Sequence, residues 1–111
     1  MSKYHLFIGR WQPFHKGHKA LIDTVLGEGE KVLIAIRETE IDHKNPYSVE
    51  ERIEMIREIY PDEKRVRIIH IPDIKGVNYG RNVGYQIREI RLHEDIEKIS
   101  GTEIRAKNNN I

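Results

Sequence analysis

Two apolar runs, residues 4–8 and 31–36, constrain this chain more than anything else in it, because both are continuous where a strand with one wet face would alternate. Strands of that kind are covered on both sides, as in a parallel sheet. Gly9 closes the first run. Between the two, Ala20, Leu21, Val25 and Leu26 recur at helical spacing, and Gly27 and Gly29 supply a stop. The spacing predicts a helix of about two to three turns. Strand, helix and strand in this order form the repeating unit of an α/β fold.

The rest continues the alternation. A polar loop over residues 37–47 ends in Pro46 and delivers Ser48, with Glu51 three positions on, the sequence form of a capping box. The helix predicted there carries its apolar stripe on Val49, Ile53, Ile56 and Ile59 or Tyr60, and Pro61-Asp62 ends it. Residues 66–71 read as a third strand. Residues 72–84 hold three glycines and no apolar period, which predicts a substrate-facing loop. Residues 85–92 alternate, with Tyr85, Ile87, Glu89 and Arg91 opposite Gln86, Arg88, Ile90 and Leu92, and predict a fourth strand near a sheet edge. A second capping-box spacing, Ser100-Gly101-Thr102-Glu103, predicts a terminal helix that takes in Ile104 and Arg105, with residues 107–110 fraying. The whole predicts an α/β sandwich with a mostly parallel sheet, whose ligands sit at the carboxyl ends of the strands.

A length of 111 residues fits one domain spanning 1–111 and one core. The formal net charge of +1 gives no global attraction for nucleic acid or an acidic membrane, so any anion site must be local. With 0 cysteines there is no disulfide, thiolate nucleophile or thiolate metal ligand. The opening apolar run is too short for a signal peptide or a membrane span, so the expected location is the cytoplasm. A sheet this small gains from burying a face against a copy of itself, which predicts a homo-oligomer, a dimer or higher.

The chemistry-bearing residues lie where the first strand meets its helix. Gly9 and Gly17 let the backbone turn or approach a ligand, Pro13 fixes the path, and His15 and His18 stand three apart at the helix start. Imidazoles can donate hydrogen bonds to phosphoryl oxygens and add charge when protonated. Arg10 and Lys16 bring further positive groups. The same histidines could equally be a helix cap and a surface residue. A zinc site would need a third ligand with a clear spacing, and His5, His43, His70 and His93 offer none. In the distal segment, Ser100, Thr102, Arg105 and a helix start make a second anion site, with simple capping as the alternative.

The stretch Gly9-Arg10-Trp11-Gln12-Pro13-Phe14-His15-Lys16-Gly17-His18 resembles the signature of the H-x-G-H nucleotidyltransferase (cytidylyltransferase-like) superfamily. Ile99 through Arg105 resembles its distal I-S-x-T-x-I-R motif. Asn45-Pro46-Tyr47-Ser48-Val49-Glu50-Glu51-Arg52 and Ile71-Pro72-Asp73-Ile74 are similar to segments of the archaeal-type nicotinamide mononucleotide adenylyltransferases. The resemblance implies a Rossmann-like three-layer sandwich with a central sheet of four to five strands. It also implies ATP or CTP as donor, Mg²⁺ held mainly through the triphosphate, a small phosphorylated acceptor and release of pyrophosphate. In that reading His15, His18 and Arg105 are catalytic, while Gly9, Arg10, Trp11, Lys16, Gly17, Ser100 and Thr102 bind the nucleotide and its phosphates. Arg52 helps at the nucleotide or braces the loop that begins near Asn45, with a surface ion pair to Glu51 or Glu58 as the alternative. No protein ligand for a metal is identified.

The chain departs from the family's pattern at two places. Trp11 replaces the usual Phe or small hydroxyl residue, and residues 74–99 are too few for the family's acceptor-binding helix and following strand. Tyr79 and Trp11 are the aromatic candidates for stacking on an acceptor. ATP is favoured as donor; transfer of CMP to a polyol or alcohol phosphate, and a non-catalytic nucleotide-binding module, are the alternatives.

Overall fold

The computed structural model describes residues 3–81 and 84–92. Its elements are β1 (Tyr4–Gly9), α1 (Lys16–Gly27), β2 (Lys31–Arg37), α2 (Val49–Ile59) and β3 (Val66–Ile71). The strands pair in parallel in the order β1-β2-β3, with Phe7 opposite Ile34 and Ile34 opposite Ile68. Parallel neighbours need a crossover, and α1 and α2 provide one each. This is the parallel α/β arrangement the apolar runs predicted, and the Rossmann-like one the resemblance implied.

The core sits on one side of the sheet. Val32, Ile34 and Ile36 alternate onto the same face and are fully buried with Ile22 and Val25 of α1, Ile56 of α2, Tyr60 and Val66. Both helices therefore cover that face. On the other face Ala35 is buried, but Leu6 of β1 is 53% exposed, and Ile69 of β3, the register partner of Ala35, is exposed to a lesser degree. The first apolar run is thus half covered among the described residues, because both crossovers pack on the same side.

Helix α1 turns a different stripe inward from the one its spacing predicted. Ile22 and Val25 are the fully buried positions, with Leu26 packed beside them, while Ala20 and Leu21 are only half-buried. The set 22, 25, 26 is equally helical, and Phe14 at the helix entrance selects it by packing in the same cluster. The end of α1 is held by Glu28 and Gly29 N–H groups donating to Val25 and Leu26 carbonyls, and Gly29 takes the left-handed conformation (φ 82) such a stop needs. The two helices are tied where the Tyr60 hydroxyl donates to Asp23 Oδ1 at 2.7 Å. Burial, the Asp23 hydrogen bond and its charge all raise the Tyr60 pKa, so it stays a donor.

Residues 85–92 are not a strand. Their alternation is real, but a strand also requires backbone pairing with a neighbour, and they pair with no strand among the described residues. The segment is held instead by side chains from one alternating set. Arg88 makes a two-point ion pair with Glu28 at 2.6 and 3.1 Å, and Ile90 packs on the core, leaving Tyr85 and Ile87 exposed. The sheet consequently shows three strands among the described residues rather than four to five. The terminal helix predicted from Ser100, and the residues 107–110, lie outside the described residues. Among those described, no helix is long and apolar enough to cross a membrane.

Candidate active site at the carboxyl ends of β1 and β2

The segment between β1 and α1 is built around Trp11. Its residue has φ 54, and its indole Nε1–H donates 3.1 Å to the Ala35 carbonyl of β2. At 4% exposure the ring is part of the core. A Cβ on Gly9 would lie 2.9 Å from the Trp11 ring, so this glycine is required by the ring lying over it. Gly9→Ala is expected to destabilise the fold by about 1–3 kcal/mol through overpacking. Urea unfolding checks this, and an unchanged midpoint would mean that the ring is free to move aside.

Past Trp11 the chain turns through Pro13, and His15 becomes the N-cap of α1. The His15 Nδ1 accepts from the Gly17 N–H at 3.1 Å, and the His18 Nδ1 accepts from the His15 N–H at 3.2 Å, closing a capping box made of two imidazoles. The rings stack with centroids 3.7 Å apart, and His18 meets Trp11 edge-on at 4.7 Å. Since each Nδ1 accepts a backbone proton, the neutral rings carry their own proton on Nε2. Burial, and next the charge of His15, push His18 down to about 3. Burial also lowers His15. Both rings are therefore neutral hydrogen-bond donors at pH 7. The cap, one of the two alternatives in the sequence, uses Nδ1 of each ring and leaves each Nε2 outside the capping bonds.

Two buried side chains fix this segment to the rest of the molecule. The Gln12 amide donates to the Tyr47 carbonyl and accepts from the Tyr47 N–H, each at 3.0 Å, and donates to Thr39 Oγ1 at 3.4 Å. Arg52, with 0% exposure, donates Nη1 to the carbonyls of Arg10 (2.7 Å) and Arg37 (2.8 Å) and Nε to the Ser48 carbonyl (3.1 Å). It is no surface ion pair: its partners are backbone, from the loop after β1, the end of β2 and the N-cap of α2. Desolvation lowers its pKa somewhat, and a guanidinium keeps its proton under such conditions. Ser48 and Glu51 form the predicted capping box, with both bonds at 3.1 Å.

Arg10 and Lys16 are exposed, and Arg10 reaches Asn45 Oδ1 at 3.2 Å. Arg37 pairs with Asp73 at 2.7 Å across the carboxyl ends of β2 and β3, and this hydrogen bond holds the Asp73 carboxyl below its usual range. The structure thus gathers Gly9, Arg10, Trp11, Lys16, Gly17, His15, His18 and Arg52 around one end of the sheet. Trp11 contributes there from below, as packing under His18, since its buried ring has no face open to a base. Tyr79 is 67% exposed and makes no ring or hydrogen-bond contact with the histidines among the described residues. Ser100, Thr102 and Arg105 lie outside those residues.

Sequence reasoning gave no role to Gln12, Thr39 or the Arg37–Asp73 pair. Gln12 stood inside the motif, but a neutral amide carries no charge signal. No group of three or more His, Asp or Glu side chains that could hold a metal occurs among the described residues. A shallow hollow on the outer face of α2, lined by Glu51, Glu54, Met55 and Glu58, is unsuited to phosphate because three of its four walls are carboxylates.

The family described as Cytidylyltransferase-like matches residues 6–75. The nicotinamide-nucleotide adenylyltransferases of Thermococcus onnurineus and Thermococcus kodakarensis are 38% and 39% identical over 67% of this chain, and the matches span 42% and 43% of those relatives. The chain therefore spans less than half the length of these two. The Methanococcus aeolicus nicotinamide-nucleotide adenylyltransferase is 31% identical over 130 positions, 92% of this chain and 75% of the relative. That alignment is longer than the chain, so the relative has residues with no counterpart here. A bifunctional NMN adenylyltransferase/ADP ribose pyrophosphatase from Francisella tularensis, crystallised with AMP and a manganese ion, superposes with a TM-score of 0.58 at 38% identity. It covers 66% of this chain and 23% of that one.

Proposed function

The chain belongs to the cytidylyltransferase-like family, and on that premise we propose that it transfers AMP from ATP to a small phosphorylated acceptor and releases pyrophosphate. Nicotinamide mononucleotide is the acceptor to test first, because it is what the names of the relatives indicate. The observation that carries the reading is the stacked His15–His18 pair at the start of α1, with both Nδ1 atoms used by the backbone and both Nε2–H groups available as donors.

In this reaction an acceptor phosphate oxygen forms a bond to the α-phosphorus as the bond from that phosphorus to the α,β-bridging oxygen breaks, and the electron pair leaves with pyrophosphate. No covalent enzyme intermediate is needed. Neutral imidazole donors suit the non-bridging oxygens, whose charge grows during attack, and being held in place beforehand they need no reorganisation. Arg10 and Lys16 supply positive charge, and Ser100, Thr102 and Arg105 are proposed to hold the leaving pyrophosphate. Mg²⁺ would arrive on the triphosphate, neutralising its charge, which is how an ion that favours phosphate and water ligands is usually presented.

The test is pyrophosphate release with ATP, Mg²⁺ and a panel that includes nicotinamide mononucleotide, smaller phosphate esters and, separately, CTP with polyol phosphates. Acceptor-dependent release with ATP is the expected result. Activity with CTP alone would replace the adenylyl reading by the cytidylyl one. ATP binding with no turnover across the panel would favour a nucleotide-binding module.

A further inference from the structure

We propose that Arg52 is a positioning residue of the donor-phosphate site, acting through the peptide between Arg10 and Trp11; the assignment rests on the reading just given. The Arg52 guanidinium holds the Arg10 carbonyl at 2.7 Å. In a trans peptide the N–H points opposite to the C=O, so the same contact turns the Trp11 N–H away from Arg52 and α2. That N–H makes no hydrogen bond among the described residues, although Trp11 is almost fully buried. A backbone N–H left without a protein partner at the start of this turn can be completed by a ligand oxygen.

The other two contacts explain why the residue is an arginine. Its donors fan out to three carbonyls from three parts of the fold, at Arg10, Arg37 and Ser48. A lysine ammonium is a point charge and cannot span the same fork. The Arg37 contact is locked in turn, since the next residue, Glu38, donates its N–H to the Ile71 carbonyl of β3 at 2.8 Å. The Arg10–Trp11 peptide is thereby referenced to all three strands and to the start of α2. Arg52 forms no ion pair among the described residues, and only the more distant charges of Glu38 and Glu50 act on it, so its hydrogen bonds are spent on backbone.

Amide NMR of the full chain, titrated with inorganic tripolyphosphate and with ATP, tests this. In the wild-type chain the Trp11 backbone amide is expected to shift on titration. In Arg52→Lys, tripolyphosphate binding is expected to weaken roughly 10-fold. The KM for ATP should rise while that for the acceptor holds. The indole N–H of Trp11, the single tryptophan, reports independently that the core is intact, through its bond to Ala35. Native affinity in Arg52→Lys with an unmoved indole resonance would overturn the proposal. Should that variant not fold, a wild-type Trp11 amide that stays in place at saturating tripolyphosphate would overturn it instead. A wild-type chain that binds neither probe overturns the nucleotidyltransferase reading itself, a pattern distinct from binding without dependence on Arg52.

Discussion

Replacing His18 by asparagine is expected to leave the chain folded while lowering adenylyl transfer roughly 100- to 1,000-fold, the effect of deleting one preorganised donor to a transition-state oxygen. The two ring nitrogens of His18 have separate tasks, and the two side-chain amides can separate them. An asparagine oxygen occupies the place of Nδ1 and can still accept the His15 N–H, a contact now made at 3.2 Å. It cannot reach the place of Nε2. Glutamine has the opposite properties: its amide extends to the Nε2 region but leaves the capping contact unmade. His18→Gln should accordingly retain more activity than His18→Asn and melt at a lower temperature, since a lost cap costs about 1 kcal/mol. Steady-state kinetics and thermal melting of both variants check the crossed pattern. Equal activity in the two would mean that the Nε2–H is not the working donor.

The second large effect is on stability against pH. His18 has an ordinary value of 6.5 when exposed and is held down to about 3 in the folded chain, by burial first and the neighbouring His15 second. Between those values the unfolded chain binds a proton that the folded chain excludes, so unfolding is favoured as pH falls. The stability that His18 contributes is therefore fully present above about pH 6.5 and drains away as pH drops toward 3. His15 shifts in the same direction and adds to the slope. Protonation also places a hydrogen on the Nδ1 that accepts the capping N–H, so the start of α1 should loosen in the same range. Urea midpoints from pH 7.5 down to about 4.5, above most carboxylate titration, should fall in the wild-type chain and flatten in His18→Asn. A wild-type profile no steeper than that of the variant would contradict the burial of a neutral imidazole pair.

Features that depend on neighbours in sequence were legible from the sequence alone. The apolar runs specified β1, β2 and β3; Ser48 and Glu51 specified the start of α2; and the strand-to-helix junction carries His15 and His18, the centre of the candidate site, within four residues of one another. Each is a pattern within a few residues, set by backbone hydrogen bonding and side-chain periodicity. Alternation over residues 85–92 misled for the complementary reason: period two records which side chains point the same way and says nothing about whether a strand edge is available.

What only the tertiary structure decided rests on partners far apart in the chain. Arg52 finds the Arg10 carbonyl 42 residues away, and Gln12 finds Tyr47 at a separation of 35. No local spacing encodes either contact, so the sequence left bracing by Arg52 open beside a nucleotide contact and a surface ion pair, and only its three backbone partners decide for bracing. The Trp11 indole bonds to Ala35, 24 residues on, and lies in the core, so the residue can face a nucleotide only through its backbone. The histidines show the division within one motif. Their spacing made the pair; burial and the capping bonds decided that both rings are neutral and which nitrogen of each carries the proton, because a pKa and a tautomer are set by surroundings that assemble only when the chain folds.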